Sequence, residues 1–376
     1  MIPFNKPYVI GHELDYIKQS VESGKISGDG IFTKKCHKFF QERYGFSNVL
    51  MTTSCTDALE MAAILLNISP GDEVIVPSYT FVSTANAFAL RGARLVFADS
   101  ESITPNIDAS LIESLITPQT RAIVIVHYAG IACDMDAIMG LAERFQIPVI
   151  EDAAQAIESF YRGRPLGSIG KVGTFSFHET KNVICGEGGL LCINDASLVT
   201  RAEIIREKGT NRSSFFRGEV DKYGWVDIGS SFLPSDIVAA YLYAQLECIQ
   251  QIQARRTAIW EIYRQRLEPL ATSSGRFHIP FVPEYATNNG HMFYLVCDSL
   301  ETRTGLLSHL KANQVLAVFH YLSLHKSPYY EQRHDGRTLL NSDRYTDCLL
   351  RLPLYYELSD LQVHKVCDLV EAYFTG

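Results

Sequence analysis

The sequence predicts an α/β protein, with a mainly parallel central sheet, helices on both faces and a smaller α+β carboxy-terminal unit. Three observations lead there. Short apolar runs at 73–77, 94–98, 121–127 and 148–150 alternate with stretches of helical period at 82–90 and 135–145. Strands separated by helices fold as right-handed crossovers into a parallel sheet. The run Arg121-Ala122-Ile123-Val124-Ile125-Val126-His127 is continuously apolar rather than alternating, as in a strand buried on both faces. At 376 residues the chain also exceeds what one hydrophobic core usually holds. Residues 1–245 are expected to form the large unit, with an amino-terminal arm, and residues 246–376 the small one.

The other elements follow in order. Residues 8–48 read as an arm and helical runs at 14–21 and 32–44, interrupted by the glycine-broken loop 23–30, which either lies over a pocket or simply turns. A short apolar stretch from Val49 ends in Thr52-Thr53-Ser54-Cys55-Thr56 and leads into helical spacing over 57–66. A strand-like run from Gly173 precedes Ser176-Phe177-His178-Glu179-Thr180-Lys181-Asn182, followed by Gly186-Glu187-Gly188-Gly189. Residues 190–194 and 196–206 read as strand and helix. Residues 210–225 form a long polar loop whose aromatic residues argue against disorder. From Pro234 one helical pattern runs through 236–246 to about 267, long enough to bridge two units. Strands at 291–297 and 315–319 and helices at 302–311 and 361–373 complete the chain, which has no internal repeat.

Composition narrows the function classes. A hydrophobic fraction of 47% and a charged fraction of 20% are those of an ordinary soluble globular protein. A net charge of −8 without a long basic run speaks against a nucleic-acid or anionic-membrane surface. Nine dispersed cysteines with no CxxC pair predict neither a disulfide framework nor a metal site, and fit the reducing cytosol. Residues 1–7 lack the features of a secretory signal, and no apolar stretch is long enough to span a bilayer.

Ligands of parallel sheets sit beyond the carboxyl ends of the strands, which picks out the chemical candidates. Lys181, just past an apolar strand, is placed either to form an imine with a phosphorylated carbonyl cofactor, expected to be pyridoxal phosphate, or to lie solvated in a loop. Ser54 to Thr56 open a helix, where free N–H groups and the dipole favour an anion, and where the hydroxyls also serve as caps. Asp152 ends the strand at 148–150. Its carboxylate either caps the next segment or pairs with a pyridinium nitrogen, keeping the ring a good electron sink. Phe81 is placed to stack on a ring or to pack in the core. Arg212, Arg217 and Lys222 either face an anionic substrate or are solvated.

One ligand accounts for the phosphate cup, the aromatic, the acid and the lysine together. Glu151-Asp152-Ala153-Ala154-Gln155, the segment 176–182 with its Gly-Glu-Gly-Gly sequel, and Pro77-Ser78-Tyr79-Thr80-Phe81-Val82 resemble fold-type I pyridoxal phosphate (PLP) enzymes, and more narrowly the DegT/DnrJ/EryC1 sugar aminotransferases. The resemblance runs from the amino-terminal region to His320-Tyr321-Leu322-Ser323-Leu324-His325. It implies that Lys181 is the Schiff-base lysine, Asp152 the pyridinium partner and Gln155 a contact to the ring hydroxyl. It also implies that Ser176, Thr56 and the Cys55 backbone hold the phosphate, and that Phe81 stacks on the ring. The implied partners are L-glutamate, a nucleotide keto-sugar and a second copy of the chain, with Arg212, Tyr223, His320 and Tyr321 at the sugar nucleotide. Two departures stand out. Gly229-Ser230-Ser231 replaces a common Gly-Tyr-Asn run, putting Ser231 where an Asn reaches the neighbouring cofactor phosphate, and Cys55 replaces a glycine of the cup. With 207–212 and 319–321, these features resemble the branch acting on dTDP-4-keto-6-deoxyglucose.

Overall fold

The computed structural model describes residues 1–376. Helices α1 (Glu13–Glu22) and α2 (Ile31–Tyr44) lead into strand β1 (Val49–Thr52) and α3 (Cys55–Leu65). Then come β2 (Glu73–Pro77), α4 (Val82–Ala89), β3 (Arg94–Ala98), α5 (Ala109–Leu115), β4 (Thr120–Val126), α6 (Met135–Phe145) and β5 (Val149–Asp152). A small hairpin, β6 (Phe160–Tyr161) and β7 (Arg164–Pro165), precedes β8 (Val172–Ser176), β9 (Gly189–Ile193), α7 (Val199–Arg206) and α8 (Arg212–Phe216). The chain ends with α9 (Asp236–Glu247), α10 (Ile249–Ser274), β10 (Phe277–His278), β11 (Phe293–Cys297), α11 (Leu300–Ala312), β12 (Val318–Phe319), α12 (Leu340–Cys348), β13 (Leu349–Leu352) and α13 (Asp360–Thr375).

The seven-stranded sheet has the order β1-β9-β8-β5-β4-β2-β3, and every neighbouring pair from β3 to β8 is parallel. Strand β9 alone runs against its neighbours β8 and β1. Its central strands are buried along their length, which is why their sequences are continuously apolar. One face packs against residues of α2, α6 and α9, and the other against α3, α4 and α7. The expected fold class is therefore observed. A second sheet, β10-β11-β13-β12, is antiparallel and is covered by α10, α11 and α13 around a third core. Ile2 belongs to that core: its N–H donates to the Gln314 carbonyl, and its own carbonyl accepts from Leu316.

Two expectations are corrected. The bridging helix is broken: α9 stops at Cys248, whose backbone (φ −102°, ψ 10°) leaves the helical region, and α10 starts anew. No Pro or Gly marks the break. It lets α9 pack on the large sheet while most of α10 packs on the small one. The segment 210–225 is also not wholly irregular, since α8 lies within it. Helices α5 and α12 and strands β10 and β13 are too short for their periodicity to show in the sequence.

A buried carboxylate holds the end of β5 in place. Glu151 is fully buried and accepts from the N–H groups of Gly167 (2.8 Å), Ile169 (2.6 Å) and Gly170 (2.6 Å). It also pairs with His127 Nε2 at 3.0 Å, while His127 Nδ1 accepts from the Cys133 N–H. Glu151→Ala strands these donors in the core, so it should cost at least about 3 kcal/mol, read as a lower urea midpoint at unchanged m-value.

Candidate active site

The parallel strands all end at one edge of the large sheet, and a cavity of about 560 Å³ opens there, within the size range of small-molecule sites. It gathers Cys55, Thr56, Phe81, Asp152, Gln155, Ser176, Lys181, His320 and Tyr321, nine of the residues singled out in the sequence. Arg351, Thr80 and Ser83 also line it.

One end of the cavity is built from the start of α3. Ser54 is the N-cap in extended backbone, and its hydroxyl accepts from the Asp57 N–H at 3.0 Å. Thr56 Oγ1 donates to Ser83 Oγ at 2.8 Å, tying α3 to α4. The first-turn N–H groups of a helix have no intrahelical acceptor, so they and the positive dipole end face the cavity. Gly189 makes this geometry possible. A Cβ there would stand 2.4 Å from the Ser54 carbonyl and 2.5 Å from the Cys55 nitrogen. The Cys55 side chain is buried, and burial pushes its thiol pKa well up, so it stays protonated and adds no negative charge to the cup.

Asp152 is the last residue of β5. Its Oδ2 accepts from Thr84 Oγ1 at 2.7 Å, and its Oδ1 from the Ala154 N–H at 3.1 Å. Burial pushes its pKa up, against the opposing pull of those two donors and of Lys181. Lys181 follows β8, and enclosure lowers the pKa of its amine. Cys55 and Asp152 oppose that shift, while the positive charge of Arg351 adds to it. Ser176 ends β8 at the cavity wall. Phe81 caps α4 with 54% of its surface free, its ring 5.9 Å from that of Tyr321.

Behind the lysine runs a buried polar network. Asn182 Nδ2 donates to the Asn289 carbonyl at 2.9 Å, and His291 Nδ1 donates to Asn182 Oδ1 at 2.8 Å. Asn289 Nδ2 in turn donates to the Gln155 carbonyl at 2.8 Å. The Gln155 side chain accepts from the Ala129 N–H at 2.6 Å and donates to Tyr321 Oη at 3.2 Å. His320 Nδ1 meets Tyr128 Oη at 3.0 Å, and burial holds the imidazole pKa well below its ordinary value.

Three expected site residues lie outside this cavity in their own chain. Ser231 is exposed and bridges to Glu207. Arg212 lines a separate groove, 3.7 Å from Glu207 and over the Phe216 ring. Tyr223 is exposed, its ring tilted against that of Phe215 with centroids 5.6 Å apart. Thr84 and Arg351 were missed by sequence reasoning. A hydroxyl in the first turn after a ligand-edge strand was the available signal for Thr84. For Arg351 it was a lone charge in the apolar run Leu349-Leu350-Arg351-Leu352.

The sequence profile of the DegT/DnrJ/EryC1/StrS aminotransferase family matches residues 7–371. The chain belongs to that family. Among solved structures it is similar to the aminotransferase TlmJ from Streptoalloteichus hindustanus, with 31% identity and a TM-score of 0.91 over 99% of this chain and 98% of that one. It is also similar to DesV from S. venezuelae, solved with a ketimine intermediate (30% identity, TM-score 0.88, 97% and 95% covered). A third likeness is to the putative sugar aminotransferase Spr1654 from Streptococcus pneumoniae in its PMP form (25% identity, TM-score 0.91, 99% of each chain covered). This sugar aminotransferase uses pyridoxal 5′-phosphate, and the cavity has the donor set that cofactor requires: a helix start, a buried carboxylate and an enclosed amine.

The amine's lowered pKa has a consequence for the aminotransferase without cofactor. Below the folded-state pKa of Lys181 both folded and unfolded chains carry the proton, and the folded state bears the burial cost. As pH rises from there toward the ordinary lysine value of 10.5, the unfolded chain binds more protons, so stability rises. Cofactor-free Lys181→Met should thus be more stable than cofactor-free wild type by about 1–2 kcal/mol at neutral pH, the gap closing as pH rises. Denaturation midpoints at several pH values test this.

Proposed function

We propose that this aminotransferase moves the amino group of L-glutamate to the 4-keto carbon of dTDP-4-keto-6-deoxy-D-glucose, giving dTDP-4-amino-4,6-dideoxy-D-galactose for surface-glycan synthesis. The observation that carries the transamination is the convergence of Lys181, Asp152 and the start of α3 in one cavity. The sugar nucleotide is argued from Cys55, Ser230-Ser231, 207–212 and 319–321. We read the molecule as a cytoplasmic homodimer. Free cysteines throughout the chain and the absence of a helix long and apolar enough to cross a membrane are consistent with that location. The exposed Tyr223 and Trp225 fit a surface shared with a second copy.

In this reading the N–H groups at Cys55 and Thr56, with Ser176, hold the cofactor phosphate, and Phe81 covers one ring face. Bound pyridoxal phosphate supplies an aldehyde for the amino group and an electron sink for the charge left at carbon. Thr84 and the Ala154 N–H aim the Asp152 carboxylate so that it keeps a proton on the ring nitrogen. Gln155, oriented by Ala129 and Tyr321, faces the ring hydroxyl. Lys181 takes the proton from the α-carbon of glutamate and, in the second half, delivers a proton to C4 of the sugar. Its depressed pKa leaves more of the free base at neutral pH than an exposed lysine has. Arg212, Tyr223 and Ser231, away from their own cavity, serve the partner's site, while His320 and Tyr321 line their own.

A second reading within the class takes a UDP-linked or 3-keto sugar through the same steps. A sugar dehydratase of this fold would need a histidine at position 181, and a non-catalytic cofactor carrier would not need a free lysine. Glutamate added to the yellow holoenzyme should remove its visible absorption within one turnover, and the pyridoxamine form should then aminate only the dTDP-4-keto-sugar of a panel, as read by product NMR. Persistent absorption rejects transamination, and amination of a different sugar rejects the assigned substrate. Lys181→Ala should lose both half-reactions by at least about 10⁴-fold.

A further inference from the structure

Two arginines, Arg206 and Arg256, are deeply buried and a third, Arg351, is half-buried with its Nε enclosed; of the three only Arg351 is left without a partner of opposite charge or a set of carbonyls. Arg256 donates to the carbonyls of Gly290 (3.1 Å) and His291 (2.7 Å). Arg206 grips both carboxylate oxygens of Asp29 at 2.9 and 2.8 Å. Arg351 has neither kind of partner. It sits on the interior strand β13, opposite Tyr294 and Val318. Its neighbours Leu350 and Leu352 point into the third core, so strand alternation turns Arg351 the other way, into the active-site cavity. Its Nε is buried with no hydrogen-bond partner, and its guanidinium rests 4.7 Å from the Phe4 ring. The groups whose charge would favour it are the phenols of Tyr128, Tyr321 and Tyr79, all held neutral by burial.

An enclosed guanidinium without a counter-ion is costly, and the cost is relieved when an anion arrives with a ligand. Three anions enter a site of the proposed kind. The cofactor phosphate is accounted for by α3. The diphosphate of a nucleotide sugar lies across the sugar ring from the carbon that reacts at C4. The α-carboxylate of the amino donor is one bond from the carbon that loses its proton, so it must lie beside the base. Arg351 is near enough to Lys181 for its charge to act on the amine, and it stands by His320 and Tyr321. A guanidinium fork is also matched to a carboxylate.

We propose that Arg351 binds the α-carboxylate of the amino donor, its guanidinium held by the Phe4 ring on the cavity wall that β13 forms. This rests on the transamination reading above. It makes Arg351 the residue that restricts the donor to amino acids and excludes simple amines. The same contact serves both directions of the donor half-reaction, since 2-oxoglutarate keeps the carboxylate.

The test uses Arg351→Gln and Arg351→Lys holoenzymes, with retained cofactor absorption as the sign of an intact site. In single turnovers followed by the visible band, Arg351→Gln should raise the apparent Kd for glutamate and for alanine at least about tenfold, with Arg351→Lys in between. Alanine has only the α-carboxylate, so a loss confined to glutamate would overturn the α-assignment. The pyridoxamine form reacting with the keto-sugar should lose less than the glutamate half-reaction does, and the reverse order, a loss there with glutamate unaffected, would assign Arg351 to the diphosphate. Equal behaviour of variant and wild type toward every ligand also overturns the proposal. Should Arg351→Gln not fold, Arg351→Lys carries the same comparison. Acetate, which does not react, separates this inference from the functional reading. If wild type does not turn over but acetate perturbs its visible spectrum, and does so at least about tenfold more weakly in the variant, the function fails and the carboxylate site stands.

Discussion

Gly189 lies flat against the carbonyl of Ser54 and the amide of Cys55, with no space for even a methyl group between them. It is paired in register with Thr52 on one side and Ser176 on the other, the last residues of β1 and β8. Those two strands lead directly into the start of α3 and into the segment bearing Lys181. One side-chain-free residue thereby sets the spacing between the start of α3 and the amine of Lys181. The reversed direction of β9 follows from the same requirement: the chain has to return across the ligand edge between two strands that both point at it.

The electrostatics follow from that packing. The chain is acidic overall, yet it encloses an amine and an unpaired guanidinium in the same cavity as Asp152. Burial disfavours the charged form of each of these groups, a cost that a bound group of complementary charge relieves. Stability is spent here on recognition, and the surrounding framework compensates with fully satisfied networks such as Glu151 with its three amide donors and Asn182 with Asn289.

Much of this was legible in the sequence for identifiable reasons. Strands β2 and β3 and helix α6 announce themselves because buried parallel strands are unbroken apolar runs and α6 has a clear apolar face. Lys181, Asp152 and the cup are recognisable because the ligand edge of such a sheet is known once the strands are. What the sequence concealed depends on pairings between distant segments. Thr84 matters only because α4 lies beside the end of β5, and Arg351 only because β13 is an interior strand whose alternate positions face the cavity. Arg206, at the end of α7, is 3% exposed and committed to Asp29, a partner 177 positions away that no local pattern reveals. The break at Cys248 left no trace, because nothing in local propensity separates α9 from α10.

The cavity walls come from different cores: Asp152 and Lys181 from the large sheet, Arg351 and Tyr321 from the segment that builds the small one. A molecule touching both is therefore gauged by its length as well as its charge. The two sheets act as the jaws of a calliper whose setting is the reach from the end of β5 to the middle of β13. Side-chain exchanges far from the cavity, where α9 packs on the large sheet and α10 on the small one, would reset that gap without altering any group that lines the cavity. Selection among donors and sugars in this protein is thus open to change from the scaffold, not only from the cavity lining.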